Sequence, residues 1–126
     1  MRRRGWGSER GAAAVEFALI LPILVLILFG VIEFGGVYNA QLMVTSAARE
    51  AARTMAVQGT VADAETVAVD AAIGIDPTDL DVTVSPGACS AGTDITVTVD
   101  YDRPFLTGLF GTTIELTGQS TRRCQG

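Results

Sequence analysis

Residues 12–32 read AAAVEFALILPILVLILFGVI, and this stretch decides what kind of protein the chain encodes. Its last sixteen residues, Phe17–Ile32, contain no charged side chain. An α-helix of about 21 residues rises about 30 Å, which is the thickness of the hydrocarbon core of a bilayer. A helix buried in a soluble core is disfavoured, because the remaining chain has too little apolar mass to enclose it. The sequence therefore predicts one transmembrane helix.

The distribution of charge predicts the orientation of this helix. Residues 1–11 carry a net charge of +3, residues 12–38 carry −2 and residues 39–126 carry −6, against −5 for the whole chain. By the positive-inside rule, the N-terminus lies in the cytoplasm and the C-terminal part lies outside. The one basic run is short and is followed at once by apolar residues, which disfavours nucleic acid as a partner.

The composition disfavours catalysis. The 126 residues allow one small domain at most, and they include no His and only two Cys. The commonest general base and the commonest zinc ligand are therefore missing from the sequence, and two thiolates cannot make a four-ligand site. Asp76, Asp79 and Asp81 lack the spacing of an EF-hand, so the acidic residues are interpreted as a solvated surface. We expect no enzyme activity, no metal, no cofactor and no small-molecule substrate.

Glu16 is the unusual residue of the apolar segment. A carboxylate one turn inside an apolar helix costs several kcal/mol unless it is paired. If a peptidase cut the chain after Gly11, Ala12 would carry a free α-amine and Glu16 would be the fifth residue of the mature chain. That amine could neutralise Glu16 of the same chain or of a helix packed alongside. The alternative is that Glu16 is tolerated near the inner interface, with its carboxylate extended towards the headgroups.

The residues around this junction resemble a known signal. A basic leader that ends in Gly11, four small or apolar residues, and then Glu16 and Phe17 before a hydrophobic helix look like the type IV prepilin signal. The wider pattern is similar to that of TadE-like proteins, the pseudopilins of tight-adherence (Flp) pilus systems. The matching runs are Gly11–Pro22, Phe29–Gly35 and Ser46–Arg53, and the resemblance is strong over about Arg10–Met55.

This resemblance implies a function for the protein. Prepilin peptidase would cut between Gly11 and Ala12, and Glu16 with Phe17 would take part in assembly, with Glu16 pairing an N-terminal amine. The processed chain would be a minor pilin of the Flp pilus, held in lipid in the bacterial inner membrane. Its partners would be other pilus subunits and the Tad assembly-platform proteins.

Two other interpretations stay open. One is an uncleaved single-span protein whose exported part binds an unrelated envelope partner. The other is a secreted domain released by signal peptidase. For the second, the small residues near Val37–Ala40 are poorly placed for cleavage, and Ser46–Ala48 lies too far downstream.

Two further residues mark the predicted membrane helix. Pro22 removes one backbone hydrogen bond and should kink the helix near Ala18–Leu21. Glu33 falls at the opposite end of the span from Glu16, so we expect a solvated residue at the outer interface, with a subunit contact as the alternative. A break in the helix at Gly35 and Gly36 is a further expectation.

The fold that follows is α+β and pilin-like, with four segments. These are a leader (1–11), a transmembrane helix (12–38), an amphipathic helix that extends it (39–58) and a small exported lobe (59–126). Apolar residues recur at helical spacing in the third segment and predict one packed face. They are Ala40, Val44, Ala47, Ala48, Ala51 and Met55. The alternatives for this face are the chain's own lobe and a neighbouring subunit.

The exported lobe is predicted to hold a short helix and three strands. Gly59 should follow the long helix as its C′ residue, and Thr60 with Asp63 predicts a capping box for a helix that ends near Gly74. Alternation with a period of two then predicts an antiparallel meander. Its strands are centred on 80–84, 95–101 and 114–117. Phe105, Leu109 and Phe110 in the second turn are expected to tuck onto the core.

The two cysteines flank the last two predicted strands. In an assumed register that places Tyr101 opposite Thr112, Cys89 falls opposite Cys124. An exported location permits a disulfide between them, and two free thiols are the alternative.

Overall fold

The computed structural model describes residues 6–57 and 59–125, and it confirms the predicted α+β class. Two α-helices precede a short 3₁₀ turn, Pro77–Asp79, and a sheet. The helices are α1 (Trp6–Ala56) and α2 (Val61–Ala71), and the strands are β1 (Leu80–Ser85), β2 (Asp94–Pro104) and β3 (Thr113–Arg123). The chain divides into two units, Met1–Gly35 and Gly36–Gly126.

The first unit contains the apolar part of α1. Every side chain from Gly7 to Phe29 is exposed, so this helix buries no apolar surface of its own. Helix α1 is long and apolar enough to cross a membrane, which is compatible with a single-pass membrane protein. Pro22 lies inside a continuous helix, and the helix also continues through Gly35 and Gly36, where a break was expected. Neighbouring i→i−4 hydrogen bonds keep the helix intact despite the glycines.

The second unit contains a three-stranded antiparallel meander in the order β1-β2-β3. Residues 80, 82 and 84 of β1 and 95, 97 and 99 of β2 point to the covered face, as the alternation predicts. Strands β2 and β3 are longer than predicted, because Arg103 and Pro104 interrupt the apolar alternation without ending the pairing. Tyr101 therefore lies opposite Leu116 rather than Thr112.

The core of this unit is built mainly from alanine. The predicted face of α1 packs inward, with Ala47, Ala48 and Ala51 all fully buried. Ala64 and Ala68 of α2 join them against the central strand, whose Ile95, Val97 and Val99 are 0 % exposed. Small side chains let helix and sheet backbones approach closely but bury little apolar area each. The face of α1 therefore belongs to the chain's own lobe.

Strand β3 touches α1 at Gly118. A Cβ atom at this position would lie 2.5 Å from the carbonyl oxygen of Val44. On one side, the Gln41 amide donates to the carbonyl of Thr117 at 2.9 Å. On the other, the Gln125 N–H donates to the carbonyl of Ala56 at 3.0 Å. The absence of a side chain at 118 is what allows this contact.

The connection from α1 to α2 is fixed by local hydrogen bonds. The Gly59 N–H donates to the Thr54 carbonyl at 3.0 Å, so Gly59 lies further beyond the helix end than the predicted C′ position. The capping box is confirmed, because the Thr60 hydroxyl accepts from the Asp63 N–H while the Thr60 N–H donates to the Asp63 carboxylate. These bonds to Thr60 hold the pKa of Asp63 below its ordinary value.

Cys89 and Cys124 form a disulfide with their Cα atoms 5.7 Å apart, a usual separation. The register from which we paired them was wrong, since Cys124 bonds through its N–H to the carbonyl of Thr93 at 2.8 Å. Cys89 reaches Cys124 because the loop before β2 turns back, with the Thr93 N–H donating to the Ser90 carbonyl at 3.0 Å.

Candidate functional site

The Gly11–Ala12 junction lies inside α1, five residues after the helix begins at Trp6. A side chain at Gly11 would meet nothing within 4 Å, and the residues around it are exposed. A peptidase needs an extended backbone, so this turn has to unwind before cleavage. Glycine inside a helix costs about 1 kcal/mol relative to alanine, which makes unwinding easier at Gly7 and Gly11.

Glu16 lies four residues after Ala12, so both residues occupy the same side of the helix. Its carboxylate is exposed, as is the ring of Phe17, which is 61 % exposed. A cut after Gly11 would make Ala12 the first residue of the helix. The new amine and the positive end of the helix dipole would then both favour a carboxylate nearby. The geometry suits pairing within one chain or between neighbouring chains.

Glu33 does not have the solvated environment expected from its position in the sequence. Its side chain is 0 % exposed, although Ile32 and Phe34 beside it are exposed. Distance from Glu16 along the sequence indicates only depth in a membrane, whereas burial depends on tertiary packing. A carboxylate is tolerated in such a place when hydrogen bonds or an opposite charge offset its lost hydration.

Comparison with known proteins identifies the segment that contains this junction. Residues 11–53 match the family model described as TadE-like protein. The chain is TadE-like over this segment. The match begins at Gly11 and ends at Arg53, which confirms the resemblance recognised in the sequence. No curated protein and no solved structure matches the chain.

The TadE-like segment indicates a protein related to the Tad pilus. TadE-like proteins are pilus components rather than a known family of enzymes. The segment contains the apolar helix and most of the alanine face of α1. It therefore joins the exposed junction at Gly11 to the buried core of the second unit.

The structure also brings together acidic residues that the sequence scatters. Asp81 lies opposite Asp100, and Asp102 lies opposite Glu115, on the outer face of the sheet. With Asp79 they line a shallow depression of about 200 Å³. The signal for this cluster is the strand register, which we had misplaced. Within the described residues, no group of three or more His, Cys, Asp or Glu side chains is arranged to hold a metal ion.

The turn between β2 and β3 differs from expectation as well. Phe105 is half-buried, but Leu109 is 58 % and Phe110 is 43 % exposed. The Phe105 N–H donates to the Thr112 carbonyl at 3.1 Å, which closes the hairpin and leaves residues 106–111 outside it. Leu109 and Phe110 therefore do not tuck onto the core as predicted.

Proposed function

We propose that this chain is a TadE-like pseudopilin, a minor subunit that acts in assembly of a tight-adherence (Flp) pilus. The observation that carries the proposal is the family match that begins at Gly11, the residue after which a prepilin would be cut. The junction and Glu16 are exposed on α1, so both are accessible to a peptidase and to neighbouring helices. The exposed apolar helix supports packing in a membrane or in a bundle of similar helices.

The proposal assigns a partner to each part of the chain. Prepilin peptidase acts on residues around Gly11 at the cytoplasmic face of the inner membrane. Lipid surrounds the apolar part of α1 before assembly, and other pilus subunits and the Tad assembly-platform proteins contact it afterwards. The lobe that begins at Gly36 is exported.

Release by signal peptidase is disfavoured by the packing of the second unit. Ala47 and Ala48, the best-placed small residues, are fully buried in its core. A cut beside them would separate Val44 and its contact with Gly118 from the rest of the lobe. Cleavage at that point is therefore incompatible with the folded unit.

Replacement of Gly11 by leucine is expected to block processing, because a side chain at this position would obstruct the backbone as it enters the peptidase. Intact-protein mass spectrometry of chains made with prepilin peptidase would measure the result. The parent chain should begin at Ala12, and the Gly11→Leu chain should keep its leader. Gly7→Leu is the matched control, since Gly7 is also exposed in α1 with open space around it.

The same measurement tests the proposed function. A parent chain that begins at Met1 would identify an uncleaved anchor, and a chain that begins after Ala40 would identify a secreted domain. Either result, or normal processing of Gly11→Leu, would overturn the prepilin assignment.

Replacement of Glu16 by alanine is expected to leave processing intact and to impair assembly. The amine of Ala12 would lose its carboxylate partner in an apolar environment. Since about 1.4 kcal/mol corresponds to a tenfold change in an equilibrium, we expect a roughly tenfold or greater loss of assembled pili. Electron microscopy of pili, with the mature N-terminus checked by mass spectrometry, measures both effects. Glu50→Ala, an exposed carboxylate of α1 beyond the apolar segment, should assemble normally. Normal piliation of Glu16→Ala would exclude the amine pairing.

A further inference from the structure

Three large apolar side chains project from the β2–β3 hairpin. They are Leu106, Leu109 and Phe110, which are 71 %, 58 % and 43 % exposed, and we name them the apolar tip. Scattered exposed apolar residues are ordinary, but a group of them in a six-residue loop indicates an interaction surface. The tip lies outside the match to TadE-like proteins, which ends at residue 53.

The apolar tip lies at the end of the second unit where the chain enters it. The guanidinium of Arg103 contacts Gly36, the first residue of the unit, closely enough to exclude a side chain there. Only Pro104 and Phe105 separate Arg103 from the tip. Ile73, which is 74 % exposed, lines a groove of about 310 Å³ with Gly36 and Arg103. Two apolar loops therefore lie beside the entry point of the chain.

This entry point is close to the end of the apolar segment. Gly36 follows Ile32, the last residue of the apolar run, by four helical residues or about 6 Å. The headgroup layer of a bilayer is about 5–7 Å thick on each side of its hydrocarbon core. If the helix spans the bilayer, Gly36 lies at the headgroups, and apolar side chains a few residues from it are within reach of the acyl chains.

We propose that the apolar tip inserts into the headgroup–acyl boundary of the membrane that holds α1. The proposal rests on the membrane-spanning helix of the proposed function and adds a second point of contact with lipid. Continuity with the apolar segment through Gly36 favours a lipid surface over a protein partner. The tip thereby fixes the lobe against the membrane surface until the subunit leaves the bilayer.

The acidic cluster restricts the kind of lipid that suits this contact. Asp102 and Glu115 lie opposite each other one and two residues inside the strand ends that flank the tip, and both are exposed. Asp81 and Asp100 continue the negative charge along the same face. Anionic headgroups would be repelled by these carboxylates within the screening length of about 8–10 Å. The surface is therefore suited to zwitterionic phospholipid.

Depth-dependent quenching of tryptophan fluorescence tests the insertion in the full chain. Trp6 is the sole tryptophan, so a Trp6→Phe background allows one probe to be placed at a time. The probe variants are Leu109→Trp in the tip, Ala91→Trp in the exposed β1–β2 loop, and Ile27→Trp in the apolar helix. Each would be reconstituted in phosphatidylcholine nanodiscs with bromine at upper acyl positions. Strand β2 separates the two loops by about 35 Å, so Ala91→Trp is the control that remains in water.

We expect bromine to quench the Leu109→Trp probe about twofold or more over Ala91→Trp, as insertion of 5–10 Å requires. Ile27→Trp should be quenched in the same discs. Leu106→Trp repeats the test at a second tip position, which guards against a local effect of one substitution. Added phosphatidylglycerol should reduce quenching at the tip.

The outcomes separate this proposal from the proposed function. Quenching of Ile27→Trp without quenching of either tip probe would overturn the insertion while leaving the anchor in place. A blue-shifted tip probe without bromine quenching would also overturn it, because the tip would then be covered by protein. If Ile27→Trp itself is not quenched, the membrane helix of the proposed function fails, and the insertion fails with it.

Discussion

Replacement of Gly118 by alanine is expected to destabilise the second unit by about 3 kcal/mol or more, at or above the upper end for overpacked cores. The added Cβ would lie 2.5 Å and 2.6 Å from the carbonyl oxygen and carbon of Val44, and 2.8 Å from the amide nitrogen of Thr45. All three atoms belong to the backbone of α1, so no side-chain rotation can relieve the overlap. The whole of β3 would have to move away from the helix.

Thermal unfolding of the detergent-solubilised chain, followed by circular dichroism and by amide exchange in β2 and β3, would measure this effect. Gly87→Ala is the matched control, because a Cβ at Gly87 meets nothing within 4 Å and its φ lies outside the left-handed region. We expect the control to unfold as the parent does. Equal stability of Gly118→Ala would mean that β3 does not approach α1 as described.

Removal of the disulfide by Cys89→Ser together with Cys124→Ser is expected to cost about 3–4 kcal/mol of unfolding free energy, if loop closure in the unfolded chain dominates. The two cysteines are 35 residues apart, so the bond closes a loop that contains β2 and β3. The alanine-rich core buries little area per side chain, and small cores depend on such cross-links.

Chemical reduction provides the internal control for this prediction. Dithiothreitol should lower the unfolding temperature of the parent to that of the double variant and leave the double variant unchanged. A parent chain that loses no stability on reduction would contradict the structural role of the Cys89–Cys124 bond. Neither treatment acts on the apolar part of α1, since both cysteines lie in the second unit.

The elements that the sequence predicts well are those with a strong local period. The inward face of α1, with Val44 and Met55, follows from helical spacing, and the capping box follows from Thr60 and Asp63 three residues apart. The Gly11 junction was recognisable because its signal lies in contiguous residues. Local patterns of this kind need no knowledge of the tertiary fold.

The features that the sequence did not predict depend on pairing across the fold. The register was wrong because Arg103 and Pro104 conceal the continuation of β2, and the acidic cluster was missed with it. Burial of Glu33 and exposure of Leu109 are likewise tertiary outcomes. The disulfide was paired correctly from a wrong register, because both cysteines lie at one end of the same hairpin.

The alanine face of α1 limits how subunits can interlock in a filament. Ala47, Ala48 and Ala51 are already enclosed by the chain's own sheet, so this side of the helix has no surface left for a neighbour. A neighbouring helix must instead use the apolar part before Gly35 or the outward side, where Tyr38 and Leu42 are exposed. The same helix thus serves two kinds of packing in succession along its length. Its first part is reserved for lipid and other subunits, and its second part is committed to the interior of its own lobe.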